Sequence, residues 1–466
     1  MASQPPADPG SFRDPDSRVF DANGEILRAL SARGLDDWER LAGTEFFARL
    51  QRSGKVVATE RLENPPEIQL GGATTAAAVL RHERVPFVSY PYEWPFSMLQ
   101  DAALLELELL RAALAEDMVL KDASPYNVQW RGSRPVFIDI GSFEPLGEGE
   151  PWAGYRQFCT LLLYPLMIQA YAELPFQPWL RGSLEGIEPA QAGAILGGRR
   201  RLRRGVLTHV ALHARLERRE ADRDTRGELR RAGFRKEMID ANAAGLERLV
   251  RRLRWNASVT AWSDYGERSH YEREELERKD RFVRDACESR RFGLAWDLGC
   301  NDGRYSRIAA EQGAYVVAVD GDQASIEALY RDLRTQSEGR ILPLVMDLAD
   351  PSPARGWRGR ERGPLEQRGK PELVLCLALV HHLSIAANVP LAEVVVWLAG
   401  LGGVVVVEFA DRNDPMVKRL LDRKRDGAHP DYRLDHFERA LAEHFEIERR
   451  ESLGSGERTL YRARPH

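Results

Sequence analysis

Cysteine is scarce in this 466-residue chain. The four present, Cys159, Cys287, Cys300 and Cys376, lie far apart and form no C-x-x-C pair. That spacing argues against a cysteine-ligated zinc site or a disulfide scaffold and suits a reducing compartment. Long apolar runs are missing as well. The longest, Cys159 to Ala172, is broken by Pro165 and is too short to span a bilayer. The start, Met1 to Asp16, is rich in Pro and Asp and lacks the basic flank and apolar core of a signal peptide. Net charge is only −4 with 30% charged residues, so no surplus of one sign draws the whole chain toward nucleic acid or a membrane surface. The expectation is a soluble cytoplasmic protein without a metal centre, with no membrane partner and with a small molecule rather than nucleic acid as its ligand.

What is present is enough sequence for two domains. Residues 1–20 read as a disordered tip and 21–196 as mixed α/β material, with a strand over Ser53–Thr59 and a helix from Phe96 to about Asp117. Residues 197–253 read as a helical connector rich in arginine, with Arg199, Arg200, Arg201, Arg203 and Arg204 clustered. Glu217, Glu220, Asp222, Asp224 and Glu228 interleave with its later arginines, the pattern of a solvated, salt-bridged face. Residues 254–466 read as an α/β domain with a parallel, Rossmann-like sheet. Residues 351–370, rich in Pro, Gly and Arg, read as a surface loop within it.

The sharpest signal is Ala295-Trp-Asp-Leu-Gly-Cys-Asn-Asp-Gly-Arg-Tyr-Ser306, an apolar run ending in a turn bracketed by glycines. Asp297, Gly299 and Gly303 give D-x-G-x-x-x-G, and a helical segment follows. Glycines there let backbone approach a ligand, and a helix start offers free N–H groups. A dinucleotide fold would show G-x-G-x-x-G to seat a pyrophosphate. Here the strand carries an acid before the turn, which repels phosphate and suits an ammonium group. Ala314–Asp320 is a second short run closed by an acid, able to accept both hydroxyls of a ribose. Ile341–Asp347 is a third, whose acid could accept an adenine amino group. Glu372–Leu383 ends in His381 and His382, and Gly402–Phe409 is a fifth run, carrying Glu408. Runs in series, each ending in a polar residue, suit a parallel sheet with ligand groups at its carboxyl edge.

This order resembles the motifs of class I S-adenosylmethionine (SAM)-dependent methyltransferases. The resemblance implies SAM as cofactor, held by Asp297, Gly299, Cys300, Asn301, Gly303, Asp320, Asp347, Leu348 and Leu377. Cys300 reads as a small side chain filling the turn. The segments Trp262–Tyr265 and Ser269–Tyr271, just before the first motif, would cover the cofactor. A base is needed if the acceptor is a hydroxyl or an activated carbon. His382 or His381 stands where the methyl group would be presented, with Glu408 and Asp411 the next candidates.

A second constellation lies in Val119-Leu-Lys-Asp-Ala-Ser-Pro-Tyr-Asn127 and Pro135–Ser142. Asp122, Asn127 and Asp139 have the spacing of a base, a metal-binding amide and a metal-binding acid. The region resembles the catalytic and metal loops of kinase-like phosphotransferases. No glycine-rich phosphate loop is recognisable, and Lys55 is the one plausible phosphate-pairing lysine. A degenerate site follows, with these residues holding nearby backbone in place. Taken from about His82 to the end, the chain resembles rhizobial nodulation-protein-type methyltransferases. The expected function is methyl transfer from SAM to a small-molecule acceptor, at oxygen or carbon more than nitrogen. An RNA or protein methyltransferase, or a bifunctional protein with a nucleotide-binding first half, are the alternatives.

Overall fold

The computed structural model describes residues 5–22, 24–71, 74–215, 235–256, 273–454 and 456–466. The acids from Glu217 to Glu228 and the segments Trp262–Tyr265 and Ser269–Tyr271 lie outside the described residues. The chain divides into two compact units. The first holds residues 1–130, 135–256 and 355–362, and the second holds 131–134, 257–354 and 363–466.

In the first unit, strands β1 (Ser17–Ala22), β2 (Glu25–Leu30), β3 (Thr59–Arg61) and β6 (Ala78–His82) form one antiparallel sheet in the order β1-β2-β6-β3. Short pairs β4 (Gln69–Gly71) with β5 (Thr74–Thr75), β7 (Met118–Leu120) with β10 (Phe143–Pro145), and the hairpin β8 (Val128–Arg131) with β9 (Arg134–Phe137) follow. The helix Phe96–Ala115 is apolar nearly all round and runs through the core, burying Leu99, Leu107 and Leu110 completely.

Two expectations are corrected here. Residues 5–20 are not a loose tip. Asp8 N–H donates to the Val19 carbonyl (2.9 Å), Asp21 N–H donates to Pro6 (3.1 Å), and Phe20 is fully buried against Leu27 and Ile68. Val19 and Phe20 are adjacent in a stretch otherwise rich in Pro, Asp, Ser and Arg, so no period-two alternation marks the strand in the sequence. Nor does Ser53–Thr59 form a strand. Ser53 closes the helix Glu45–Arg52, Gly54 turns the chain at φ +71°, and pairing in the sheet starts only at Thr59. The stretch 351–370 is a loop, but its residues 355–362 group with the first unit. There Arg355 lies over the Tyr92 ring (5.7 Å) and Arg362 over the Tyr126 ring (4.3 Å).

The second unit is an α/β layer structure on a seven-stranded sheet in the order β13-β12-β11-β14-β15-β17-β16. Strands β11 (Leu294–Leu298), β12 (Tyr315–Asp320), β13 (Ile341–Val345), β14 (Leu373–Cys376) and β15 (Val404–Ala410) are parallel. Their apolar residues are almost continuously buried, because helices cover both faces of a parallel sheet. A C-terminal hairpin of β16 (Phe445–Ser452) and β17 (Arg458–Pro465) adds an antiparallel edge, β17 pairing with β15. The chain winds from β11 outward through β12 to β13, then returns to place β14 on the other side of β11. The crevice at the carboxyl ends of β11 and β14 is therefore the topological switch point, where open α/β sheets bind ligands.

Candidate functional site

At that switch point lies a cavity of about 610 Å³, within the size range of small-molecule sites. Its wall takes Gly299, Cys300 and Asn301 from the turn after β11, Asp320 from the end of β12, and Asp347 and Leu348 from the end of β13. Leu377, Ala378, Leu379 and His382 come from the end of β14. Most of the wall surface is apolar, and charged and polar side chains converge on it.

The turn is built by backbone rather than side chains. Gly299 N–H and Cys300 N–H both donate to the Val319 carbonyl (2.8 and 3.0 Å), which ties the loop to β12. Gly299 has φ +79°, and a Cβ there would sit 3.4 Å from Leu379 Cδ1, at the cavity wall. Asn301 is also left-handed (φ +48°) and donates its N–H to Asp320 Oδ2 at 2.9 Å. Asp320 Oδ1 accepts the Asp322 N–H at 2.8 Å. The carboxylate is thus fixed by two backbone donors and keeps further lone pairs for a ligand. Burial raises its pKa, and the backbone donors oppose that shift. Asp347, just past the end of the neighbouring strand β13, is exposed on the same side, with one oxygen accepting the Ala349 N–H at 2.9 Å.

Two residues expected to touch the cofactor do not line the cavity. Asp297 is 1% exposed and accepts from Ser306 Oγ at 2.6 Å, behind the turn; burial pushes its carboxyl up to about 7. Gly303, at φ +77°, begins the helix Arg304–Glu311, and a Cβ there would meet Leu329 Cδ1 at 2.7 Å. Its smallness serves packing of helix on helix. Sequence spacing located the turn but could not tell its ligand face from its packing face.

The proposed bases separate sharply. His382 lines the cavity, while His381 is fully buried beside it, ring centroids 4.2 Å apart, and does not reach the wall. Burial lowers the pKa of both. His382 is brought down to about 4, with Arg458 adding to the effect, so its imidazole is neutral at physiological pH. Glu408 is not available as a base. It is wholly buried and receives Lys279 Nζ at 2.5 Å and Arg458 Nη1 at 3.0 Å, and Arg458 Nε in turn binds Asp414 at 2.7 Å. Asp411 caps its own loop, accepting from Asn413 N–H at 3.2 Å, away from the cavity. Lys279 itself was missed. It lines the cavity from the helix Arg273–Glu288, 3% exposed, with Nζ 5.0 Å from the Tyr305 ring centroid. One lysine on a charged helix carries no spacing signal.

The first-unit constellation is closed on itself. Asp139 binds Arg28 Nη1 (3.0 Å) and Ser142 Oγ (2.7 Å), and Asn127 Nδ2 donates to Ser142 Oγ (3.3 Å). Burial works against the Asp139 charge, but Arg28, Ser142 and Lys121 outweigh it and hold its pKa below the ordinary range. Asp122 is raised by burial and by the Asp139 charge. Lys55 pairs with Glu108 on the helix Phe96–Ala115, both half-exposed. Among the described residues, no cluster of three or more His, Cys, Asp or Glu side chains could hold a metal ion, and no helix is long and apolar enough to cross a membrane.

The second unit thus has the strand order, switch-point cavity and acid-tipped strands of the class I SAM-dependent methyltransferase fold. No protein-family model matches the chain. A curated relative does: nodulation protein NoeA of Rhizobium meliloti (strain 1021) is 32% identical over 456 residues, covering 97% of this chain and 94% of the relative. The chain belongs to the NoeA family. Among solved structures, the N-methyltransferase NodS of Bradyrhizobium japonicum WM9, in complex with S-adenosylhomocysteine, matches over 42% of this chain and 90% of its own. It shows 15% identity and a TM-score of 0.31. The magnesium protoporphyrin IX methyltransferase ChlM of Synechocystis PCC 6803 matches over 50% and 100%, with 18% identity and a TM-score of 0.30. The NoeA-family likeness runs through both units, so the first unit is as much part of the family as the SAM-type sheet.

Proposed function

We propose that this NoeA-family protein transfers a methyl group from SAM to a small-molecule acceptor, at oxygen or carbon. The observation that carries the reading is the switch-point cavity, where Gly299, Asp320 and Asp347 line one wall and a neutral His382 stands on the other. SAM, when bound, supplies an electrophilic methyl sulfonium. Asp320 would hold the ribose hydroxyls and Asp347 the adenine amine, which fixes the donor by its adenosine end. With the donor fixed, positioning the acceptor accounts for much of the acceleration. His382 offers a lone pair for the proton an attacking hydroxyl or carbon must lose, whereas His381 is kept from the ligand by burial. The wall also carries Asp302 and Asp322. Four carboxylates repel a phosphate backbone, which favours a small acceptor over RNA.

Asp320→Ala should weaken S-adenosylhomocysteine by roughly 10- to 150-fold in calorimetry, the worth of a buried hydrogen bond to a charged acceptor. Unchanged affinity would remove Asp320 from the site. His382→Ala should lower turnover about 10²- to 10⁴-fold while cofactor affinity stays within a few-fold. The pH profile adds a sign. A group brought down to about 4 is protonated only below that pH, so kcat/KM should hold from pH 8 to 5 and fall near 4. An acid limb near 6.5 that vanishes in His382→Gln would contradict a buried, neutral base. Equal turnover in His381→Ala and His382→Ala would point to an acceptor that needs none.

In the first unit, Asp122, Asn127 and Asp139 serve the fold rather than phosphoryl transfer, supported by the closure of Asp139 on Arg28 and Ser142. Incubation with magnesium, labelled ATP and cell extract should give no labelled product. A product lost in Asp139→Ala would overturn this.

A further inference from the structure

The cavity has a pronounced charge asymmetry. Asp320 and Asp322 after β12 and Asp347 after β13 line it on one side, Asp302 comes from the turn after β11, and two cationic side chains, Lys279 and Arg304, face it among the described lining residues. Arg304 is exposed and held by both oxygens of Asp280, Nε to Oδ1 at 2.8 Å and Nη2 to Oδ2 at 2.5 Å. Lys279 is buried and anchored through Glu408 on β15. From β12 to β15 the sheet order crosses three inter-strand spacings, roughly 14 Å. The buried ammonium thus stands well away from the acids that suit an adenosine. SAM carries a carboxylate at the end opposite its adenine, and an acidic wall cannot receive it.

Resting on the SAM reading above, we propose that Lys279 is the residue that grips the amino-acid carboxylate of the cofactor. The chain Asp414–Arg458–Glu408–Lys279 positions it: each link is a charge-assisted contact of 2.5–3.0 Å between side chains no more than 4% exposed. An ammonium has three donors, and Lys279 is among the residues that line the cavity. Two cations and two carboxylates leave these four side chains neutral as a group. The anchor comes from the helix before β11 and from the C-terminal hairpin, not from the glycine turn.

The test compares two ligands that share the adenosine and differ at the far end. S-adenosylhomocysteine carries the carboxylate and 5′-methylthioadenosine lacks the amino-acid end. Lys279→Met should weaken the first roughly 10- to 150-fold and the second by less than about twofold, with Lys279→Arg recovering part of the loss. Should Lys279→Met fail to fold because Glu408 is left short of a partner, Lys279→Met/Glu408→Gln removes both charges and is measured in its place. Equal weakening of both ligands would make Lys279 a structural residue only, and no weakening of either would remove it from the site; each overturns the proposal. If the wild-type protein binds neither ligand, the SAM reading itself fails. Wild-type binding of both with an unselective loss in the variant rejects Lys279 alone.

Discussion

Gly299→Val should leave a folded protein that no longer binds S-adenosylhomocysteine. The backbone at this position has φ +79°, a region that side chains rarely adopt and that costs about 1–3 kcal/mol for a non-glycine residue. A Cβ there already lies 3.4 Å from Leu379 Cδ1 at the cavity wall, and the valine branches have only the ligand's space to enter. Gly299→Ala, with the Cβ alone, should give a partial loss. The other glycine of the turn behaves differently. Gly303→Ala meets Leu329 at 2.7 Å, so its effect should fall on thermal stability more than on affinity in the fraction that remains folded. Wild-type affinity in a folded Gly299→Val protein, by calorimetry, would refute the placement of the cofactor against this turn.

Glu408→Ala should be among the most destabilising single changes in the second unit. It strands Lys279 in a site where that side chain is 3% exposed and leaves Arg458 with Asp414 alone. Breaking one partner from a buried pair costs about 3–5 kcal/mol, because an uncompensated charge stays behind. For a unit of this size that corresponds to a melting-point drop of roughly 6–20 °C. Glu408→Gln, which keeps hydrogen bonds and loses charge, should fall between the wild type and alanine. Were Glu408 a catalytic base, as its place after an apolar strand suggested, the alanine variant would melt like the wild type and lose turnover. Differential scanning calorimetry separates the two.

The contrast shows what could be read from residues alone. Strands β11, β12, β13 and β14 are buried on both faces, so each is an apolar run. The chain returns to water only at its carboxyl end, and that is where a polar residue must appear. Asp320, Asp347 and His382 stand out for that reason, and all three line the cavity. The same logic failed at Glu408, because β15 pairs with β17, a strand brought back from the far C-terminus that buries Arg458 against it. A partner fifty residues away in sequence leaves no local trace. Asp297 looked like a ligand because it precedes the turn, yet its side chain points into the core and bonds Ser306. In the first unit, short irregular strands gave little periodicity, so the Lys55–Glu108 pair and the ordered segment from Pro6 to Phe20 escaped notice.

The central claim is tested most directly by a crystal structure of the protein with S-adenosylhomocysteine. The expected density lies at the carboxyl ends of β11, β12 and β14, with ribose hydroxyls on Asp320, adenine beside Asp347 and Leu348, and the amino-acid end directed to Lys279. Ligand bound elsewhere in the chain, or bound in this cavity with the adenine against His382 and Lys279, would contradict it.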